Sequence, residues 1–227
     1  MRQSAGSSSG SRLIDIGCGN GSFLRAAAKA GWEVAGTELN PSDHHLKDLR
    51  VESSLEGLTD ISPVRVVTLW HSLEHIPDPL ATIHSVRSVL IPNGTVVIAV
   101  PNFGSLQSRL TKSNWLHLDL PRHLNHFTIK SITRLLENAN FEVSRVWNLE
   151  LEYDLVGWSQ SLMTPFTGGR TIFFDALTKQ SISSSRVSRL ANLACGTLLS
   201  ACAIPIIPFT SYTNSGAVLV VAARASS

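Results

Sequence analysis

The sequence predicts an α/β protein, a mostly parallel sheet with helices on both faces. Three observations carry that prediction. Short β-rich runs alternate with helical patterns from Arg12 onward. A glycine-rich turn, Gly17 to Gly21, joins the first apolar run to the first helical pattern. Val64 to Trp70 is a β-branched and apolar run apart from Arg65, of the kind a strand buried on both faces carries.

Leu13 to Ile16 reads as the first strand. Phe23, Leu24, Ala27 and Ala28 then recur at helical spacing until Gly31, which suits the left-handed position past a helix end. A second strand, Glu33 to Leu39, precedes a polar helix over residues 41–50 and a third strand, Val51 to Leu55. After the fourth strand, Val64 to Trp70, Asp78 followed by Pro79 reads as an N-cap with proline in the first helical position. Leu80, Ile83, Val86 and Leu90 give that helix its core-facing stripe. Pro92 and Asn93 fit the centre of a type II turn, because asparagine tolerates positive φ, and lead to a fifth strand, Thr95 to Val100. Residues 103–127 read as a long irregular loop holding three of the eight histidines, more than a connector needs. Ile129, Ile132, Leu135 and Leu136 predict a helix, Phe141 to Val146 a sixth strand, and Ala217 to Ala222 the last.

The domain organisation that follows is a flexible Ser/Gly-rich leader at 1–11, a core at 12–150, a helical apolar insertion or cap at 151–215, and the final strand and tail at 216–227. A chain of 227 residues is long enough for one such domain with a cap. The net charge of +2 comes without any Lys or Arg cluster, which argues against nucleic acid as a partner. Cys18, Cys195 and Cys202 are scattered, with no CxxC spacing, and fit reduced thiols in the cytoplasm.

The segment Asp15-Ile16-Gly17-Cys18-Gly19-Asn20-Gly21 ends a strand and enters a helix, so it presents backbone N–H groups where ligands of parallel sheets bind. Gly17, Gly19 and Gly21 permit close approach of a ligand to bare backbone, and Asp15 adds a carboxylate for a cationic ammonium group. Glu38, at the end of the second strand, stands where an acid accepts hydrogen bonds from ribose hydroxyls. The nicotinamide fingerprint GxGxxG fails here, since Ser22 occupies the place of its third glycine.

Through its segments "DIGCGNG", "LWHSLEHIPDP" and "PRHLNHFT", the chain from Arg12 to Arg224 resembles the class I S-adenosylmethionine (SAM)-dependent methyltransferases, in a group related to the ubiquinone-biosynthesis O-methyltransferases. The resemblance implies a Rossmann-like, seven-stranded sheet with an antiparallel last strand. It implies SAM as cofactor, with Asp15, Gly17, Cys18, Gly19 and Gly21 at the methionine half, Glu38 and Leu39 at the ribose, Ser54 and Leu55 at the adenine, and Trp70 and His71 lining the pocket. Many relatives have an acid where Ser54 aligns, and Glu56 is a candidate substitute. The leader runs straight into the first strand, so another segment is expected to cover the site.

Methyl transfer needs positioning in a desolvated pocket, with a base only for a protonated acceptor. His75 is the first candidate base, beside Glu74, both just after the fourth strand; His123 and His126, in the histidine-rich loop, are candidate acceptor contacts. Their bland reading is hydrogen bonding within walls and loops. His71-x-x-Glu74-His75 also matches an inverted zinc-peptidase pattern, but that pattern needs a single helix and these residues stop at Pro77. The ubiquinone relatives link an acidic-His pair to a divalent ion, and this chain has His71 where they have a carboxylate. No metal is therefore assigned.

No charged residue lies between Arg189 and Arg224, and Leu190 to Phe209 is a 20-residue apolar run. Pro205 and Pro208 interrupt it, and the last strand must return to the sheet, which argues against a single-pass span. Peripheral contact of 190–209 with the inner face of a membrane is one expectation, a buried cap helix the other. The functional expectation is methyl transfer, favouring oxygen, to a small or lipid-linked acceptor. The alternatives are a SAM-binding scaffold without catalysis and, lower, a nicotinamide oxidoreductase.

Overall fold

A computed structural model describes residues 11–42, 44–148, 151–168, 172–177 and 186–226, with Glu152 and residues 186–189 described as backbone alone. The leader up to residue 10 and insertion residues 178–185 lie outside the described residues.

The strands are β1 (Arg12–Ile16), β2 (Glu33–Thr37), β3 (Val51–Glu52), β4 (Val64–Trp70), β5 (Leu90–Pro101), β6 (Phe141–Trp147) and β7 (Val218–Ala225). They form one sheet in the order β3, β2, β1, β4, β5, β7, β6, parallel except for β7. This is the expected Rossmann-like arrangement. From β1 the chain proceeds outward to β2 and β3, then crosses back to β4 on the other side of β1. That reversal opens a crevice beyond the carboxyl ends of β1 and β4, where ligands of such sheets bind.

The helices are α1 (Ser22–Lys29), α2 (Pro79–Val89), α3 (Leu106–Thr111), α4 (Ile129–Asn138), α5 (Leu151–Met163), α6 (Ile172–Leu177), α7 (Arg186–Ala203) and α8 (Ile206–Tyr212). In α1, Leu24 and Ala27 are buried, and Leu24 joins Leu13, Cys18 and Leu46 in a core cluster flanked by Phe23, Trp32 and Val34. Full burial of a leucine such as Leu24 contributes about 2–3 kcal/mol. Gly31 is left-handed (φ 91°), as expected past a helix end. Asp78 caps α2 by accepting the Ala81 N–H at 2.9 Å.

Several boundaries differ from the sequence expectation. Among the described residues of 41–50 the expected polar helix is only a 3₁₀ turn, His44–Leu46, held by Arg25, which bonds Asp48 and the His45 carbonyl. The second strand ends at Thr37, since Glu38 turns its carboxylate back to the glycine loop. The third strand is only Val51–Glu52, followed by a 3₁₀ turn at Leu55–Leu58. The fifth strand starts at Leu90: Val64 pairs with Leu90 and Val66 with Thr95, so residues 91–94 loop out between them, with Asn93 at φ 59°. The loop at 103–127 contains α3, whose buried residues are Gln107, Ser108 and Thr111; a helix that buries polar side chains leaves no apolar periodicity to read.

Two compact units divide the chain. The first comprises residues 1–100, 131–146 and 221–227; the second, residues 101–130 and 147–220. Within the second, α3 meets α5 through Gly157, where a Cβ would lie 2.5 Å from Gln107 Oε1. Gln107 Nε2 donates to the Asp154 carbonyl at 2.8 Å, and Asp154 Oδ1 accepts the Ala217 N–H at 2.9 Å. Polar ties thus hold the two segments of this unit together. Among the described residues no single helix is long and apolar enough to cross a membrane. Leu190–Ala203 and Ile206–Tyr212 pass that test only as a pair bent by 51°.

Candidate active site

The glycine loop separates two reasons for a glycine. Gly17 (φ 70°) and Gly21 (φ 76°) are left-handed, and Cβ atoms there would lie 2.7 Å from Ser72 Cβ and 2.3 Å from Leu49 Cδ1. The protein's own packing requires them. Gly19, also left-handed at φ 54°, meets nothing within 4 Å, so its bare side borders open space that a ligand can enter.

Polar contacts fix the loop. The Gly17 and Cys18 N–H groups both donate to the Thr37 carbonyl, at 2.9 and 3.0 Å, and the Gly19 N–H donates to Glu38 Oε2 at 2.7 Å. Glu38 Oε1 accepts its neighbour Leu39's N–H at 2.8 Å. A half-exposed carboxylate held this way at the tip of β2 is placed to receive a diol. From the other side Arg25 donates to Asp48 at 2.8 and 2.6 Å, to the Asn20 carbonyl at 2.7 Å, and to the His45 carbonyl.

Asp15 is 2% exposed. Its Oδ1 accepts from Thr68 Oγ1 at 2.6 Å, across the β1–β4 register that pairs the two residues. Burial pushes its carboxyl up to about 7, the Thr68 hydrogen bond opposing and the charge of Glu38 adding to the rise. A bound cation would favour the charged form. Burial, with Asp15 and Glu38, pushes the Cys18 thiol up to about 11, so it stays neutral and a poor nucleophile.

Beyond β4, Trp70 meets Phe23 edge-on at 5.4 Å, and its buried Nε1 has no hydrogen-bond partner. His71 is left-handed at φ 50°; its N–H donates to the Ala99 carbonyl at 2.9 Å, and its Nδ1 lies 3.7 Å from Glu74 Oε1. Glu74 is 1% exposed, with no hydrogen-bond partner for Oε2. His75, in the same 3₁₀ turn, is exposed. Ser72 Oγ donates to the Ile16 carbonyl at 2.8 Å and fastens this turn to β1.

The structure therefore gathers Asp15, Gly17, Cys18, Gly19, Gly21, Glu38, Trp70, His71, Glu74 and His75 at one end of the sheet in the first unit. Ser54 is exposed and Leu55 half-buried; a hydrogen bond from Ser54 holds the Glu56 carboxyl below its usual range. The Leu39 side chain is 96% exposed and contributes backbone alone. Thr68 and Ser72 went unnoticed in the sequence. The signal for Thr68 was available: it is the one hydroxyl inside the apolar run Val64–Trp70, in register with Asp15.

His123 and His126 belong to the second unit. His123 Nδ1 lies 2.8 Å from the His117 carbonyl and its Nε2 3.8 Å from Asp119 Oδ2, while His126 Nε2 lies 3.0 Å from the Leu118 carbonyl. Each commits a ring nitrogen to ordering its own loop. The rings of Phe103, Trp115 and His117 continue from them to Tyr153, with centroids 5.4 to 6.1 Å apart along the series.

The fold and this loop define a Rossmann-like transferase that binds a nucleoside with an attached amino acid. A family model for the methyltransferase domain matches residues 1–146. The ubiquinone biosynthesis O-methyltransferase of Methylococcus capsulatus is 30% identical over 70% of each chain. Its namesake from Xanthomonas campestris pv. campestris is 32% identical over 41% of this chain, which spans 44% of that relative's length. The crystal structure of a SAM-dependent methyltransferase from Archaeoglobus fulgidus has a TM-score of 0.56, with 21% identity, covering 95% of this chain and 86% of that one, a likeness of fold. The chain belongs to the methyltransferase domain family, and its cofactor is SAM.

The residues present fit that cofactor. Gly19 leaves the room a side chain would fill, Asp15 is a buried carboxylate whose ionisation a cation would favour, and Glu38 faces the same loop.

Proposed function

We propose that the chain transfers a methyl group from SAM to a hydroxyl on a small or lipid-linked acceptor. The observation that carries the reading is the joint placement of Asp15, the open Gly19 and Glu38. Asp15 would hold the cofactor's ammonium group, Glu38 its ribose hydroxyls, and the turn at Ser54, Leu55 and Glu56 its adenine. Bound SAM supplies an electrophilic methyl group on a positively charged sulfur. Trp70 and His71 would line its pocket, and the neutral Cys18 thiol would not compete as a nucleophile.

The names of the relatives favour an oxygen acceptor. The second unit adds apolar surface: Leu190, Leu198, Phe209 and Tyr212 on α7 and α8 are exposed in a stretch that carries no charge. That surface favours an acceptor delivered from a lipid layer, with the bent helix pair lying in the interface.

Calorimetric titration with SAM and with NADH tests the cofactor; SAM should bind and NADH should not. Turnover with 4-nitrocatechol and with an alkyl-chained catechol in vesicles tests the acceptor. SAM binding with no turnover of any phenol or catechol would leave a scaffold in place of an enzyme. Flotation with phosphatidylglycerol and phosphatidylethanolamine vesicles tests the lipid contact; equal recovery of wild type and Leu198→Glu/Phe209→Glu in the soluble fraction removes it.

A further inference from the structure

We infer that Thr68 is a positioning residue for Asp15, aiming its carboxylate at the ammonium group of the cofactor. The inference deepens the SAM-binding reading and rests on it. Asp15 has two register partners, Gly36 on β2 and Thr68 on β4. Gly36 brings no side chain, and its surroundings leave room for none: a Cβ there would lie 2.8 Å from Leu24 Cδ1 and 2.9 Å from Cys18 Sγ. The β4 side is therefore the one that can orient the carboxylate. Thr68 Oγ1 donates to Asp15 Oδ1 at 2.6 Å, the length of a hydroxyl bond to a charged oxygen. A β-branched side chain has few rotamers on a strand, so the backbone of β4 sets the direction of that hydroxyl.

The strand itself has no need of a hydroxyl here. Thr68 is buried, and its neighbours Val67 and Leu69 are buried completely. Valine, of similar shape, would suit the sheet and bring no polar group to satisfy. What the hydroxyl serves is the carboxylate. Holding Oδ1 against β4 fixes the carboxylate plane and leaves Oδ2 to the ammonium group. Donation also favours the charged form of Asp15, the form that an ammonium group needs. The titratable groups at this end of the sheet are Glu38 after β2, Cys18 in the glycine loop, and His71, Glu74 and His75 after β4. Burial and the charge of Glu38 work against ionisation of Asp15, and the Thr68 bond works for it.

The test uses the full chain as wild type, Thr68→Val, Thr68→Ala, Thr68→Ser, Asp15→Asn and the double variant Asp15→Asn/Thr68→Val. SAM affinity by calorimetry at pH 7 should fall about tenfold in Thr68→Val and Thr68→Ala, and stay within about threefold of wild type in Thr68→Ser. In SAM-free protein with ¹³C-labelled aspartate carboxyls, Asp15 should titrate at about 7 in the wild type and higher in the valine and alanine variants. Serine, which keeps the donor, should bring the titration back towards wild type. The double variant should bind SAM within about twofold of Asp15→Asn, because Thr68 acts through the carboxylate. An Asp15 titration unchanged in both Thr68→Val and Thr68→Ala overturns the inference, and so does unchanged SAM affinity in both. A loss in Thr68→Val that adds in full to that of Asp15→Asn also overturns it, since the hydroxyl then acts elsewhere. Failure of the wild type to bind SAM overturns the cofactor reading instead, and the carboxyl titration alone then decides whether Thr68 governs Asp15.

Discussion

Two histidine- and carboxylate-bearing regions of this chain look alike in sequence and differ in structure. At the end of β4 in the first unit, polar groups are held from behind and left incompletely matched: Asp15 with one hydroxyl, Glu74 with a distant imidazole, Trp70 with a buried N–H that has no partner. In the loop before α4 in the second unit, the rings of His123 and His126 bond backbone carbonyls of the same loop. The first arrangement leaves polar groups incompletely matched within the protein; the second commits ring nitrogens to loop order. Counting histidines does not distinguish the two, whereas tracing their partners does.

The largest expected effect tests the first region. Gly19→Val adds a side chain where no protein atom lies, so its damage should fall on the cofactor. SAM affinity measured by calorimetry should drop about 100-fold, roughly 2.7 kcal/mol. Thermal stability should fall by only about 1–2 kcal/mol, the strain of a left-handed valine.

Asp15→Asn should separate stability from binding. A carboxyl raised from 3.8 to about 7 by burial makes the folded state hold its proton more tightly, so this group lowers stability as pH rises from about 4 to about 7. Removing the charge should stabilise the SAM-free protein by roughly 2–4 kcal/mol at pH 8 and cost at least about tenfold in SAM affinity, read by urea unfolding and calorimetry. In the wild type, SAM affinity should weaken as pH falls below about 7 and Asp15 takes up its proton. A flat profile between pH 5.5 and 7.5 would remove Asp15 from the cofactor site.

His123→Ala and His126→Ala sharpen the other side of the contrast. Each should cost about 1–2 kcal/mol in urea unfolding, as expected of a lost buried hydrogen bond, and leave SAM affinity within threefold. The smallest effect concerns thiols. At pH 8 a maleimide should label the exposed Cys195 and Cys202 and spare Cys18, which is buried and pushed up to about 11, with no change in SAM affinity.

The local devices were legible because local chemistry sets them. The glycines after β1, the Asp78-Pro79 start of α2, the left-handed Gly31 and the apolar run of β4 each depend on a few adjacent residues, and the structure contains all four. The helix at 41–50 and the irregular loop at 103–127 failed as readings for the complementary reason. The first segment owes its shape to Arg25, which bonds Asp48 and the His45 carbonyl from α1, and the second hides a helix that buries Gln107, Ser108 and Thr111.

The sequence by itself determined the class of fold and the position of the glycine loop with Asp15 before it and Glu38 at the end of the second strand, because strand, turn and helix propensities act over a handful of neighbours. Tertiary structure decided which polar groups are already satisfied. It put Thr68 on Asp15 across a strand pair, buried Glu74 beside His71 while exposing His75, and folded residues 101–130 with the insertion into a second unit. Those outcomes depend on groups brought together from distant parts of the chain, and burial and partner geometry exist only after that assembly.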